Sequence, residues 1–490
     1  MDITEISDIK EKALIGSKWL VIEKVSLQLV QFIVGIILAR LLGPKAFGLV
    51  ALSAVFIIIS GAIMDSGFEK ALIQTQNLTA LQISTAFYIN TFLGLLMALI
   101  ICLLAPTIAD FFHAPELTNI LRVLSLGLPI DAFGQTQRML IMKELNFKKI
   151  SIGQICSALV SAIVGITLAF CGFGVWALVF SWLSGTLTFV LIFWYKSSWY
   201  PKFVFSYSSI ASVVPFGLNV LASSVLFFFA QQFNNFIVGK YYDKAELGLF
   251  NRGLRFPELI STLIQGVVLK MSFPLFSKLQ FEEAQLKNVL RKSFRMTAFV
   301  TFPLLGYMFI NAKQIILFLL TDQWIGAVIY LKIFCLVNLL NPFISLQREL
   351  LLAKGFAKLL FRLLLLTSVL EMVPILFVVK SGIIYVAWIV LANKIFQFFL
   401  YQQIAARKMS LPLFEAIKWI LPYFVIVLLI VSSIQCLDWI LPGSVTHILL
   451  LKLSIDILLG VSIYFLISIS YRLEEFQTMK LVVYSVFKRR

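Results

Sequence analysis

Two arginines one helical turn apart lie inside an apolar stretch of the chain, in the segment FNRGLRFPELI. Arg252 and Arg255 share one side of the predicted helix, and Glu258 follows at the same spacing. Like charges at this spacing repel each other, and charges are costly within apolar surroundings, so an anion that joins both would relieve the cost. Guanidinium groups are planar, multidentate donors for phosphate. The segment therefore predicts a cationic substrate-binding site on a helix that Pro257 kinks.

Further polar residues interrupt other apolar stretches. Lys24, Gln28 and Gln31 are spaced i, i+4 and i+7 and so share one helix face. We group Lys24 with the two arginines as the substrate-binding cations. Six other residues are predicted to line a cavity or to couple transport to an ion, namely Gln28, Gln31, Asp65, Gln231, Asn235 and Glu258.

The hydrophobic composition indicates that membrane-spanning helices position these side chains. Hydrophobic residues make up 60% of the 490 residues, charged residues 13%, and the mean hydropathy is +0.96. Apolar runs of about 20 residues, enough to cross roughly 30 Å of hydrocarbon as a helix, recur along the chain, whereas a barrel would show short alternating strands. The sequence therefore predicts an all-α integral membrane protein with about 14 transmembrane helices. The predicted spans are about 15–42, 46–66, 83–110, 117–142, 148–171, 174–195, 208–238, 246–276, 288–311, 326–353, 358–379, 382–405, 412–435 and 446–470.

Charge and cysteine usage restrict the partners. The net charge is +17, but the cations lie beside and inside the spans, which favours anionic lipids or an anionic substrate and argues against nucleic acid. About 24 basic residues fall on one alternating set of loops and about 6 on the other, so both termini are predicted to be cytoplasmic. The five cysteines show no metal-ligand spacing. We expect no metal and no cofactor.

The chain contains an internal repeat. At an offset of 210, Gln137 and Arg138 match Gln347 and Arg348, and the match continues to Gly172 and Gly382; at an offset of 200, Gly48 matches Gly248, and Arg40 faces Lys240. Six spans thus repeat with the same topology, which predicts two lobes related by a pseudo-twofold axis along the membrane normal, with a cavity between them. We assign residues 1–205 to an N-terminal lobe, 206–410 to a C-terminal lobe, and 411–490 to two added helices with a basic cytoplasmic tail.

Other charges near or inside the spans have ordinary explanations. Near span ends, we expect the basic side chains to snorkel to the headgroups. These are Arg40, Arg138, Arg348 and Lys240. For Arg122 and Lys332, a bracing role and a cavity role both stay open. We assign no role to Asp131, Glu371, Lys452 or Asp456.

Several motifs, in their order, carry a family resemblance. The segments ARLLGPKAFGLVAL, MDSGFEKALIQ, LRVLSL, NFKKISI, LAFCGFGVWALV and WYPKFVF extend from about residue 13 towards residue 410. This pattern resembles the polysaccharide transporters of the multidrug/oligosaccharidyl-lipid/polysaccharide exporter superfamily, and in particular the colanic-acid-type lipopolysaccharide flippases. The resemblance implies two six-helix lobes in a V, and movement of undecaprenyl-pyrophosphate-linked sugar units from the inner to the outer leaflet of the bacterial cytoplasmic membrane. It also implies partners in the same pathway, a polysaccharide polymerase and glycosyltransferases.

Two other functions are alternatives to that of a flippase. An ion-coupled multidrug or cation exporter of the same superfamily would share the fold, but would emphasise acidic cavity residues rather than Arg252 and Arg255. A membrane sugar polymerase would need a catalytic constellation, commonly on a large outward loop. The longest predicted outward loop, around 313–325, has no paired carboxylates and no nucleophile beside a base. We therefore expect a transporter and not an enzyme.

Overall fold

Helices account for most of the computed structural model, which describes residues 3–64, 72, 78–195, 197, 199–206, 214–409, 414–440, 449–477 and 480. The helices are α1 (Ile3–Leu41), α2 (Pro44–Met64), α3 (Ala80–Phe111), α4 (Glu116–Ser125), α5 (Gly127–Lys143), α6 (Phe147–Phe170), α7 (Val175–Trp194), α8 (Val214–Tyr241), α9 (Lys244–Lys278), α10 (Glu283–Ile310), α11 (Ala312–Leu319), α12 (Ala327–Ala353), α13 (Ala357–Val378), α14 (Ile383–Met409), α15 (Glu415–Ile440) and α16 (Leu449–Ser470).

Within these described ranges, 12 helices are long and apolar enough to cross a membrane. The two remaining predicted spans correspond to α8 and to the pair α4 and α5. The prediction of an all-α, multi-pass membrane protein is confirmed, and the count of 14 holds as an approximation. Helix α9 continues through Pro257 and Pro274.

The predicted span over residues 117–142 consists of two helices that meet at Leu126, a position that the sequence did not indicate. Pro129 has no N–H with which to continue the helical bond to the carbonyl of Ser125. Gly127 lies directly against the indole of Trp182, where an added Cβ would come within 2.2 Å of the ring. The predicted outward loop around 313–325 also has regular structure, since it contains α11 and a 3₁₀ turn at Asp322–Trp324.

The helix ends follow the offsets of the sequence repeat. Helices α1 and α8 end at Leu41 and Tyr241, and α2 and α9 begin at Pro44 and Lys244, which are offsets of 200. In the later spans, α5 and α12 end at 143 and 353, which is an offset of 210. The secondary structure thus has the period of the sequence, while the symmetry axis stays a prediction.

The equivalent turns of the two halves both contain a glycine at positive φ. The turn after α6 places Gly172 at φ +79°, and the turn before α14 places Gly382 at φ +148°. A side chain rarely adopts such angles, so glycine is the residue that both turns require.

The chain divides into two compact units, Met1–Gly248 and Leu249–Arg490. In the first unit, α6 packs against α1 and α7, and α3 packs against α4 and α5. Helix α8 packs along α2, so the first unit extends beyond residue 205, where we place the end of the N-terminal lobe. The lobe boundaries stay a prediction.

A reciprocal backbone contact joins the starts of α2 and α9 inside the first unit. A Cβ added to Gly48 would lie 1.6 Å from the carbonyl oxygen of Lys244, and a Cβ added to Gly248 would lie 2.0 Å from the carbonyl oxygen of Pro44. Both pairs are related by the offset of 200.

In the second unit, α10 packs between α12 and α15. Its core contains large buried rings from several helices, among them Phe276, Phe294, Phe343 and Tyr423. The two C-terminal helices therefore belong to the same packed body as α10. An ion network strengthens this attachment, since Arg295 Nε lies 2.8 Å from Glu475 Oε1 and donates to the Tyr423 hydroxyl at 3.2 Å.

Candidate functional site

The two arginines predicted to bind substrate lie in different environments. Arg252 is buried, with 9% of its surface exposed. Its guanidinium carbon lies 5.6 Å from the centre of the Phe256 ring and 5.9 Å from that of Trp324. Aromatic faces attract cations, so this cage stabilises the charge of Arg252 inside the second unit. Trp324 reaches it from the 3₁₀ turn that precedes α12.

Arg255 lies one turn later and is accessible. Its side chain is 59% exposed, and Nη1 lies 3.3 Å from Oε2 of Glu258, whose side chain is 44% exposed. The pair thus lies on the surface of α9, in contrast to the enclosed Arg252. Arg255 and Glu258 were both predicted site residues, and the structure pairs them with each other.

The packing of this segment fixes where the two arginines stand on α9. Phe250 packs edge-on against Tyr330 and Phe334 of α12, with ring centres 5.5 Å and 5.1 Å apart. Gly253 lies so close to α12 that a Cβ would meet the Tyr330 side chain at 2.6 Å. Helix α9 is therefore held on α12 at this point. Residue 252 is on the packed side of α9 and residue 255 on the open side.

The first unit contains the other described candidates, on two helices. Lys24, Gln28 and Gln31 lie on α1, which packs against α6, and the buried Oε1 of Gln28 has no hydrogen-bond partner among the described residues. Gln231 and Asn235 lie on α8, which packs against α2. The three α1 candidates and the two α8 candidates thus lie on helices that pack against different neighbours, and their roles stay a prediction. Asp65, the remaining candidate, lies outside the described residues.

A polar cavity of about 370 Å³ lies inside the first unit, among α1, α5, α6 and α7. Its polar and aromatic lining comprises Gln31, Asp131, Arg138, Gln154, Ser157, Ser161, Trp182, Thr186 and Phe189. Gln31 lies halfway along the apolar segment Ile22–Leu41. Polar groups at such depth are costly and usually serve function. This cavity was not predicted as a site from the sequence.

Two charged residues that line this cavity were not predicted from the sequence to belong to a site. Arg138, which we expected to snorkel to the headgroups, lines this cavity, and Asp131, to which we gave no role, faces the same space. Snorkelling of Arg138 stays a prediction. The missed signal is the stripe Gln154, Ser157 and Ser161, spaced i, i+3 and i+7 on α6. Serines in an apolar helix ordinarily indicate close helix packing, so this stripe did not point to a cavity.

Two lysines of the first unit, one at the start of α2 and one near the end of α8, contact other helices of the unit. Lys45 Nζ lies 2.6 Å from Oε1 of Glu116, and this hydrogen bond holds the pKa of the Glu116 carboxyl below its ordinary value. Lys240 donates to the carbonyl of Phe111, the last residue of α3, and its ammonium lies 3.9 Å from the centre of the Phe111 ring. A cation at a helix C-terminus also interacts favourably with the helix dipole. Lys240 therefore has a bracing role in addition to any contact with headgroups.

Comparisons with known proteins agree with this fold. A family model described as polysaccharide biosynthesis protein matches residues 37–329. The succinoglycan biosynthesis transport protein ExoT of Rhizobium meliloti (strain 1021) is 25% identical over 306 residues, which cover 62% of this chain and 62% of ExoT. The lipopolysaccharide biosynthesis protein WzxC of Escherichia coli (strain K12) is 26% identical over 363 residues, which cover 72% of each chain.

A solved structure extends the likeness to nearly the whole chain. The lipid II flippase MurJ, in an inward closed conformation, superposes with a TM-score of 0.74, covering 94% of this chain and 99% of MurJ. The sequence identity is 15%, so this likeness shows the fold.

Proposed function

The chain belongs to the polysaccharide biosynthesis protein family, and from that premise we propose that it is a flippase for lipid-linked oligosaccharides. It moves polyprenyl-pyrophosphate-linked repeat units of an O-antigen, a capsule or an exopolysaccharide from the inner to the outer leaflet of the bacterial cytoplasmic membrane, by alternating access. The observation that carries the proposal is the family match over residues 37–329 on a fold shared with a lipid II flippase. The names of ExoT and WzxC, which refer to transport and to surface polysaccharides, point the same way.

The chemistry of the substrate explains why the second unit keeps cations within the membrane. A pyrophosphate carries negative charge that cannot cross hydrocarbon without compensation. Charge-assisted hydrogen bonds from a guanidinium can replace its hydration. Arg255 is accessible and, among the described residues, is held by the exposed Glu258, so a pyrophosphate can displace that carboxylate. We assign Arg255 to direct contact with the substrate.

Arg252 contributes from the interior. Its guanidinium is held by Phe256 and Trp324, one turn from Arg255, and it adds positive potential at that place without being fully accessible. Because buried charges are screened less than exposed ones, this contribution persists at physiological salt. Lys24, on α1, is the third proposed cation. Gln28, Gln31, Asp65, Gln231, Asn235 and Glu258 are kept as proposed cavity or coupling residues.

The wider arrangement belongs to the same proposal. The lobe boundaries, residues 1–205 and 206–410, are part of the proposal, and so is a path on which the protein receives the pyrophosphate and sugars while the polyprenyl chain stays in lipid. Both termini lie in the cytoplasm. The glycosyltransferases that build the lipid-linked unit and the polymerase that consumes it act before and after this protein. Transport breaks and forms no covalent bond.

Reconstituted liposomes test the proposal. The purified full chain is inserted into vesicles that contain a fluorescent polyprenyl pyrophosphate bearing a short oligosaccharide, and an impermeant quencher reports which leaflet holds the label. The flippase account predicts transfer of this lipid and no transport of a cationic dye loaded into the same vesicles. Dye export without lipid transfer would instead identify a multidrug exporter and refute the proposal.

A further inference from the structure

We propose that the polar cavity of the first unit is a sugar subsite, which holds one sugar of the oligosaccharide during its passage. The inference rests on the proposed function, since it names the part of the lipid-linked substrate that this unit recognises. The cavity is the space of about 370 Å³ among α1, α5, α6 and α7. This volume is within the range of about 300–1,000 Å³ that is typical of ligand pockets in proteins.

The depth of the cavity is the first argument. Gln31 lies halfway along Ile22–Leu41, and Gly185 lies halfway along α7. The lining residues from both helices are thus near the midplane of the bilayer. Polar groups are rarely placed there without a partner or a function. Transporters built from parallel repeats place substrate at this depth.

The chemistry of the lining is the second argument. It contains one carboxylate, Asp131, and one guanidinium, Arg138, so its formal charge is zero. A site for an anion would carry an excess of cations, and a metal site would need several oxygen ligands of negative charge. Mixed donors and acceptors of balanced charge instead suit a ligand with many hydroxyl groups, each of which both donates and accepts.

Two amides are available to such a ligand. Gln31 and Gln154 have no hydrogen-bond partner among the described residues, whereas the hydroxyls of Ser157 and Thr186 donate to the carbonyls of Gly185 and Trp182. Serine and threonine oxygens keep lone pairs to accept further bonds. The amides can therefore bind a hydroxyl pair without breaking any contact.

An aromatic ring completes the lining. Trp182 is 38% exposed and contributes to the cavity wall. One face of a pyranose ring presents C–H groups while its rim presents hydroxyls, so a sugar can stack on an indole and bond to amides at its edge. The Trp182 ring also packs on Gly127, where an added Cβ would lie 2.2 Å from the ring. The cavity thus combines a flat apolar wall with a polar rim.

Binding measurements in nanodiscs test the subsite. The two probes are a polyprenyl pyrophosphate that bears a tetrasaccharide and the same lipid without sugar. We expect Gln154→Leu and Trp182→Leu each to weaken binding of the sugar-bearing lipid about fivefold or more, the change for one or two lost contacts, and to leave the bare lipid unaffected. Trp176→Leu, on the same helix but packed on Phe180, serves as the matched control and should change neither.

The outcomes separate this inference from the proposed function. If the unmodified protein binds and transfers the sugar-bearing lipid but Gln154→Leu weakens neither probe, the cavity is not a sugar subsite and the flippase proposal still stands. Equal weakening of both probes by Gln154→Leu also refutes the subsite. If Trp182→Leu fails to fold because Gly127 loses its packing partner, Gln154→Leu decides alone. Failure of the unmodified protein to bind or transfer the sugar-bearing lipid would refute both proposals.

Discussion

At the scale of single residues, two arginines that look alike in the sequence have different environments in the structure. Arg255 is exposed and weakly paired, and Arg252 is enclosed by Phe256 and Trp324. Spacing predicted that both would share one side of α9. It could not predict the burial of Arg252, because Trp324 follows some 70 positions later and approaches only through the packing of the second unit.

Replacing both arginines by glutamine tests the cationic site. Each lost charge-assisted hydrogen bond is worth about 1.5–3 kcal/mol, and about 1.4 kcal/mol corresponds to a factor of ten. We expect transport of the sugar-bearing lipid per folded copy to fall at least about tenfold. Lysine at both positions should restore part of it, because lysine keeps the charge but loses the planar fork.

A matched control distinguishes function from folding. Arg291 also lies on a helix and bonds to a residue three positions away, Asn288, at 3.2 Å. Arg291→Gln should leave transport per folded copy unchanged. A purely structural role for the arginines predicts less protein in the membrane but normal activity per molecule. Normal transport by the double glutamine variant would eliminate the cationic-site proposal.

At the scale of helices, the close contact between the starts of α2 and α9 leaves room only for glycine at positions 48 and 248. A Cβ at Gly48 would fall 1.6 Å from backbone, which cannot move as a flexible side chain can. We expect Gly48→Ala and Gly248→Ala each to lower the melting temperature, with an overpacking cost of about 1–3 kcal/mol. The double variant should cost less than the sum, since one separation of the helices accommodates both methyl groups.

Gly61, on the same helix α2, is the control for this crossing. A Cβ there would meet nothing within 4 Å. Gly61→Ala should be neutral or stabilising, because alanine is favoured over glycine in a helix by about 0.5–1 kcal/mol. Thermal unfolding in detergent measures all of these variants. Equal melting temperatures for Gly48→Ala and Gly61→Ala would contradict the described contact.

The attachment of the C-terminal helices gives a second prediction at this scale. Glu475 is 5% exposed and pairs with Arg295, so Arg295→Met leaves a buried carboxylate without its partner. We expect a loss of stability of up to about 3 kcal/mol, at the lower end for broken buried pairs because Arg295 is partly exposed. Adding Glu475→Gln should recover part of it, as read from the melting temperature.

A more exposed pair provides the comparison. Lys287 lies 2.7 Å from Glu415, with side chains 40% and 23% exposed. Lys287→Met should therefore lower the melting temperature less than Arg295→Met. A larger effect for Lys287 would show that the network around Arg295 does not hold these helices.

The positions of the helices could be predicted from the sequence, but the break between α4 and α5 could not. Hydropathy and length locate a span, and Gly-Pro at 43 and 44 locates a helix start. A proline alone is ambiguous, since α12 continues through Pro342 whereas the chain breaks just before Pro129. Beside the break, Gly127 packs on Trp182, a tertiary contact that the sequence does not reveal.

At the scale of the whole molecule, the loop charges predict which ends of the helices face the cytoplasm. Single cysteines near Lys148 and Lys287 should react only from the cytoplasm, and those near His113 and Gly174 only from outside. The sequence makes the same prediction for Lys488 and Gly443, which lie outside the described residues. One reproducible inversion among these positions would contradict the proposed topology.

The central claim, that the chain carries lipid-linked oligosaccharide across the membrane, is tested most directly in the native cell. The protein is depleted, and the leaflet that holds the lipid-linked repeat unit is then determined with an impermeant sugar-oxidising reagent on intact spheroplasts. The account predicts that repeat units accumulate and are protected in the inner leaflet, and that the unmodified chain restores their exposure. Unchanged exposure after depletion, with no accumulation, would contradict it.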